Sequence, residues 1–406
     1  MACGIKAFVP TADIRAQHHE THAVPPIPNF DPSIAGGRLT IDTDAIVRNW
    51  RALRARLKPG SECGAAVKAN AYGTGLTETG RALATAGCRT FFVALPAEAL
   101  QLRAALPEAV IYVLDGLFPG AASLYGEHHL RPVLGSLSEL DEWDAYCRTG
   151  GDILPAALHI DTGMNRLGLR PDEFDRFCAE PGELLLNEGT LLMSHLACGS
   201  EVNHPMNDRQ LDAFLQATAP HPGMRRSLAN SAGVFLGPGY HFDLARPGIA
   251  LYGGCATDDP DHLLEPVVKV ESRILSIRHV PAGETVGYGA AETTQRNMKV
   301  AVVAAGYADG LLRLAGSSDE TRGSYAMLEG HRLPLVGRIS MDLIALDVTD
   351  APEHLCHRGA FVEMLGPNVP AADLAAHART IDYEYLTSLG RRFHRRYAPL
   401  SDQSAT

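Results

Sequence analysis

The stretch Cys63-Gly64-Ala65-Ala66-Val67-Lys68-Ala69-Asn70-Ala71-Tyr72-Gly73 sets a single lysine at the end of a small, apolar run that then turns polar. A short apolar run closed by turn residues is the pattern of a buried parallel strand. Lys68 then stands at the C-terminal end of that strand, where barrels and open α/β sheets hold their ligands. With Ala and Val beside it, its ammonium is partly desolvated, which lowers its pKa and frees the amine as a nucleophile. The chemistry open to such an amine is a Schiff base with a carbonyl, pyridoxal phosphate included. The plain alternative is a surface lysine just past a strand. A similar juncture recurs in Leu158-His159-Ile160-Asp161-Thr162-Gly163-Met164-Asn165-Arg166-Leu167-Gly168, which follows the apolar run from Ile153 to Leu158.

The elements that must position these residues alternate in type. Strand candidates are Thr90–Leu95, Ala109–Leu114, Arg131–Ser136, Ile153–Asp161, Thr190–Ala197, Arg225–Ser231 and Phe242–Arg246. Helical patterns lie between most of them, as at Thr77–Gly87, Ser136–Tyr146 and Asn207–Ala217. With the Lys68 strand, the count and length suit a (β/α)8 TIM-type barrel over residues 43–266. An open doubly wound sheet is the alternative, but no G-x-G-x-x-G is present. Asp42 or Thr43 can cap the first helix, whose apolar set includes Ile46, Trp50 and Leu53.

From residue 267 to 406 the texture changes to short alternating runs, Val267–Ile274, Val300–Ala304, Leu333–Val336, Leu343–Val348 and Phe361–Leu365, broken by Gly and Pro. That is the pattern of a mostly-β domain. Residues 1–36 carry Pro25, Pro26, Pro28 and Pro32 and no sustained period, which predicts a mobile or loosely docked extension. Its His18, His19 and His22 lack the H-E-x-x-H arrangement, and no metal site is expected.

A net charge of −11 without a compensating basic stripe argues against nucleic-acid and anionic-membrane partners. The one basic run, Arg391-Arg392-Phe393-His394-Arg395-Arg396, is expected to form a solvated or intersubunit face. At 46% apolar residues and a mean hydropathy of −0.05, the chain is expected to be soluble and globular. The 8 cysteines are scattered, with no C-x-x-C, which suits free thiols in a reducing compartment. No run approaches the ~20 apolar residues of a membrane span, and the N-terminus lacks the apolar core of a signal peptide. The expected location is the cytoplasm.

Further motifs follow in order. They are Met193-Ser194-His195-Leu196-Ala197, Ala229-Asn230-Ser231, Ala245-Arg246-Pro247-Gly248-Ile249-Ala250-Leu251-Tyr252-Gly253, and Val286-Gly287-Tyr288-Gly289. Gly306-Tyr307-Ala308-Asp309-Gly310, Gly337-Arg338-Ile339-Ser340-Met341-Asp342 and Ile381-Asp382-Tyr383-Glu384 complete the set. Each is weak alone. In this order, and with the two strand-end segments, they resemble the alanine racemases over roughly residues 38–397.

The resemblance implies a pyridoxal-phosphate barrel followed by a β domain, with the strand at 38–42 joining the latter. It implies that the chain interconverts L- and D-alanine and supplies D-alanine for peptidoglycan; a racemase of broader amino-acid specificity is the alternative. Lys68 would hold the cofactor and serve as base on one of its faces, and Tyr288 would carry the proton on the other. His195 would pack on the ring and link to Arg246, which would face the pyridine nitrogen. Tyr72, Ser231, Gly248, Ile249 and Tyr383 would hold the phosphate. Arg166 and the backbone of Met341 would take the substrate carboxylate. Tyr288, Tyr307 and Met341 would reach into the site of a second subunit, so a homodimer with shared sites is implied. Two positions depart from the family pattern. His159 stands where many members carry a carbamylated lysine, and Thr74 where a histidine is usual.

Overall fold

The computed structural model describes residues 31–150, 154–179 and 189–400. The extension expected over residues 1–36 therefore lies, as far as residue 30, outside the described residues, and its histidines with it. Of what precedes Gly36, Pro32–Ile34 form a 3-10 turn capped by Asp31, whose carboxylate accepts the Ser33 N–H at 2.8 Å.

Seven parallel strands form one sheet in chain order: Ala65–Ala66, Thr90–Val93, Val110–Val113, Leu130–Leu134, Ala157–His159, Leu191–Met193 and Arg225–Ser227. An eighth, Leu244–Ala245, pairs in parallel with Glu62–Cys63, the same chain segment just before Ala65. On its other side the Asp243 N–H donates to Arg226 O and the Arg246 N–H to Ala229 O. The two edges of the sheet thus meet through Leu244–Ala245, as a (β/α)8 barrel requires. The strands are shorter than the apolar runs predicted, because several runs continue into the loops at their C-terminal ends. Part of the Ile153–Asp161 candidate lies outside the described residues.

The side-chain period of two sorts each strand. Ala66, Phe92, Tyr112, Val133, Ala157, Leu191 and Leu244 form one buried cluster, to which every one of these strands except Arg225–Ser227 contributes. Their neighbours Ala65, Phe91, Val93, Ile111, Leu134, Leu158 and Leu192 belong to the larger core beneath the helices. Both faces are buried, which is why the strands read as continuous apolar runs. Thr43–Arg56 opens the helical layer. Asp42 accepts the Ala45 N–H at 2.8 Å, and Ile46, Trp50 and Leu53 are buried.

The C-terminal domain is mostly β. Its long strand Val268–Val280 pairs antiparallel with Met298–Val303, Phe361–Leu365 and Gly37–Ile41. Gly37–Ile41 also pairs in parallel with the last strand, His394–Tyr397. The first and last strands of the described fold therefore lie side by side. Among the described residues, no helix is long and apolar enough to cross a membrane.

Candidate active site

Lys68 follows the Ala65–Ala66 strand and opens a single turn, Lys68–Tyr72. Within it Ala69, Asn70, Ala71 and Tyr72 all have positive φ, 52°, 55°, 53° and 51°. Left-handed backbone costs an L-residue about 1–2 kcal/mol, and it normally occurs one residue at a time. Here it carries Lys68 and Tyr72, at the two ends of the turn, to the same cavity of about 340 Å³. Burial depresses the Lys68 pKa first, the Arg166 charge adds to that, and Asp115 and Glu98 partly oppose it. Lys68 is thus a partly buried amine of lowered pKa rather than a lysine on the open surface. Thr74, at the position usually held by histidine, supports the turn: its hydroxyl donates to Ala71 O at 2.6 Å and lies 3.0 Å from the Thr79 hydroxyl.

The same cavity is lined by His195, Arg246, Ser231, Gly248, Ile249, Tyr383 and Arg166. Arg246 is fully buried. Its Nη1 donates to Ser227 Oγ at 2.5 Å, its Nη2 to Ser194 O at 2.6 Å, and Nη2 stands 3.5 Å from His195 Nδ1. All three partners are neutral. Burial lowers the Arg246 pKa to about 10, which leaves it charged near neutrality. His195 is held well below its usual range by burial, with Arg246, Arg166, His159 and Lys68 adding repulsion, so its ring is neutral. A positive group surrounded by neutral acceptors attracts an electron-rich ligand atom but gives it no proton.

A second group lines the cavity with hydroxyls and small residues. Ser231 Oγ accepts the Gly248 N–H at 2.7 Å and the Ala250 N–H at 3.3 Å. Tyr72 stacks on Tyr252 with ring centroids 4.6 Å apart, and Tyr383 lies 6.1 Å from it. A Cβ at position 248 would run into the Tyr72 hydroxyl, so only glycine fits there. Burial pushes the Tyr72 phenol up to about 12 and raises that of Tyr383, which keeps both as neutral hydrogen-bond donors. Donors of this kind around a glycine loop suit a phosphate.

His159 is buried and its pKa falls to about 4, through burial first and then the Arg246 charge. It has no primary amine to carry a carbamate, and it is not a charge partner for Arg166. The nearby Asp161 carboxylate is occupied by the N–H groups of Gly163, Met164 and Asn165, at 2.9 to 3.1 Å. It organises the loop that presents Arg166.

Tyr288, Tyr307 and Met341 do not line the Lys68 cavity within one chain. They are 71%, 42% and 52% exposed. Tyr288 instead borders a second cavity of about 580 Å³, in the β domain, with Arg278, Arg338 and Ser340. Tyr307 and Met341 share one platform: the Tyr307 N–H donates to Ser340 O and the Ala308 N–H to Met341 O, each at 3.1 Å.

Sequence reasoning assigned no role to Ser194, Ser227, Thr162 or Gln210. Ser227 Oγ donates to Leu244 O, which fixes it as the acceptor for Arg246. Buried Gln210 donates to Thr162 Oγ1 and His195 O and accepts the Ala197 N–H. Thr162 in turn lies 2.8 Å from Ser194 Oγ. No spacing in the chain announces these contacts; they arise where the barrel strands end side by side. The basic run at 391–396 also differs from expectation. Arg392 bridges Asp309 and Asp342, Arg395 donates to Gly73 O and Arg396 to Thr40 Oγ1, so much of the run holds elements within the chain.

A partly buried lysine of lowered pKa and a buried arginine, lining one cavity at the mouth of a parallel barrel, suit an enzyme of carbonyl chemistry. Comparison with known proteins narrows this. The model of the alanine racemase N-terminal domain matches residues 41–256, and that of the C-terminal domain matches residues 267–397. An alanine racemase of Rhodospirillum rubrum is 46% identical over 90% of this chain and 97% of its own length. One of a Methylobacterium species is 48% identical over 89% and 98%. A crystal structure of alanine racemase from Bartonella henselae with covalently bound pyridoxal phosphate superposes with a TM-score of 0.84, at 41% identity, over 90% of this chain and 100% of that one. This chain belongs to the alanine racemase family, a family of isomerases.

Proposed function

We propose that the protein interconverts L- and D-alanine with pyridoxal phosphate held on Lys68. The observation that carries this reading is the pairing of a low-basicity Lys68 with a buried, charged Arg246 in one cavity. The residues present fit the cofactor: an amine for its aldehyde, hydroxyls and a glycine loop for its phosphate, and a cation for its ring nitrogen. When bound, the cofactor makes the substrate's α-proton acidic. Lys68 takes or returns that proton at the α-carbon from one face; Tyr288 of the partner subunit does so from the other. Arg246 stays charged and withholds its proton from the ring nitrogen. Electron withdrawal is then weaker, and side reactions such as transamination are disfavoured. Tyr72, Ser231, Gly248, Ile249 and Tyr383 bind the phosphate, His195 packs on the ring, and Arg166 and Met341 take the substrate carboxylate with Tyr307 beside them.

The exposure of Tyr288, Tyr307 and Met341 supports a homodimer in which each chain completes its partner's site. In this reading residues 43–266 form the cofactor-binding barrel, 267–406 with strand 38–42 the β domain, and 1–36 an extension. The enzyme works in the cytoplasm and supplies D-alanine for peptidoglycan. Incubation with L-alanine in D2O, followed by proton NMR and a D-alanine assay, tests the activity. Serine, lysine and arginine, run alongside, measure its breadth. Exchange of the α-proton without formation of D-alanine, or neither, would overturn the assignment.

A further inference from the structure

We propose that the last described strand, His394–Tyr397, is a latch for the lysine-bearing turn, and that Arg395 and Tyr397 are positioning residues that hold Ala69–Tyr72 left-handed. The inference rests on Lys68 being the residue that carries the cofactor.

The starting point is the four consecutive positive φ angles of Ala69, Asn70, Ala71 and Tyr72. None of these residues is glycine, and of the four only Asn70 visits that backbone readily. The bonds inside the turn do not select its hand. Ala71 N–H donates to Val67 O at 2.8 Å and Gly73 N–H to Ala69 O at 3.0 Å, a four-residue spacing that a right-handed turn makes equally well. Asn70 anchors the turn locally, its Oδ1 accepting the Leu76 N–H and its O the Gly75 N–H, each at 2.9 Å, and contacts from far along the chain add to that anchor.

The two carbonyls that follow the turn meet the last strand. Arg395 Nη1 donates to Gly73 O at 2.7 Å, and the Tyr397 hydroxyl donates to Thr74 O at 3.1 Å. Arg395 Nη2 also reaches Leu389 O at 3.3 Å, just past the helix Asp382–Ser388 that carries Tyr383. One guanidinium thus ties the exit of the lysine turn to the exit of the Tyr383 helix, and both line the cavity. The approach is close. A Cβ at position 73 would run into the Leu386 carbonyl, and one at position 75 into the Tyr397 hydroxyl. The strand is itself fixed, because it pairs in parallel with Gly37–Ile41. Without the latch the turn is free to relax to a right-handed form. That redirects its Cα–Cβ bonds and separates Lys68 from Tyr72.

The test is a pyridoxal-phosphate titration of the full chain after cofactor removal, read by absorbance, with borohydride trapping and peptide mapping of the attachment site. Arg395→Ala should weaken cofactor affinity about tenfold to a hundredfold, the ratio for one lost hydrogen bond from a charged donor. Tyr397→Phe, which keeps the ring and removes only the hydroxyl, should weaken it about two- to tenfold and carries the test if the arginine variant does not fold. Adding Ala69→Gly to either variant should recover affinity, because glycine takes the left-handed turn without strain. A role in general stability would lower the melting temperature without that recovery. Wild-type affinity in both single variants, or no recovery with Ala69→Gly, overturns the latch alone. Trapping of the wild-type cofactor on another lysine overturns the site reading, and the latch with it.

Discussion

Lys68 and Arg246 owe their chemistry to where they are buried. The same burial acts on His159 in the same direction, and there it makes stability depend on pH in the range just below neutrality. Its pKa is about 4 in the folded chain against 6.5 when exposed. Between those values the unfolded chain binds a proton that the folded chain refuses. The contribution is therefore complete above about pH 6.5 and lost as the pH falls toward 4. Melting temperatures measured from pH 7 to pH 4.5 should fall, and His159→Asn should flatten the fall; an unchanged slope would show that His159 is not the group responsible. Tyr288→Phe removes one of the two proposed proton carriers and keeps the ring. Losing a positioned acid–base group costs about 10²–10⁴ in rate, so racemisation should drop by that factor in both directions. Exchange of the D-alanine α-proton with D2O should survive better than exchange from L-alanine, because Lys68 remains. Equal loss of both exchanges would point to one shared base.

Arg392 acts at the scale of elements. It donates to both carboxylate oxygens of buried Asp309, at 2.7 and 2.9 Å, and to Asp342 at 2.5 Å. Asp309 in turn accepts the Gly306 N–H at 2.9 Å. One side chain thus fastens the loop bearing Tyr307 to the loop bearing Met341. A planar fork of donors suits such a double clamp; a lysine would not replace it. Arg392→Ala should speed amide hydrogen exchange in residues 306–310 and 340–342 and raise KM for alanine about tenfold, with a smaller effect on kcat. Unchanged exchange in both loops would show that the clamp is dispensable. Arg392 was legible in the sequence only as part of a basic run. Its partners lie 83 and 50 residues away, a relation that only the folded chain creates.

For the molecule as a whole, two distant parts of one chain carry the proposed pair of proton carriers. Lys68 is partly buried at the barrel mouth, whereas Tyr288 is exposed on the β domain. If each site draws Tyr288 from its neighbour, two inactive variants can complement each other. Mixing Lys68→Ala with Tyr288→Phe subunits, after dissociation and reassociation, should restore about a quarter of wild-type activity, since half the dimers are mixed and each holds one intact site. Absence of recovery in dimers shown to have exchanged would place both residues in one subunit's site.

The barrel was legible because its strands are buried on both faces and so appear as apolar runs; the β domain was legible because alternation and Gly/Pro breaks mark half-buried strands. Lys68, Arg246, Tyr72 and Ser231 were legible as motif residues at strand ends, and the structure brings them to one cavity. Strand lengths were not, since an apolar run continues into a loop without changing composition. Nor did any local pattern announce the left-handed turn after Lys68: Ala-Asn-Ala-Tyr carries no glycine, and the Gly73 and Thr74 carbonyls that follow it meet Arg395 and Tyr397, 322 and 323 residues further on. Residue type sets what an amine, a guanidinium or a phenol can do. Burial, charge neighbours and the closure of one strand on another decide its pKa and its aim, and those exist only once distant segments have met.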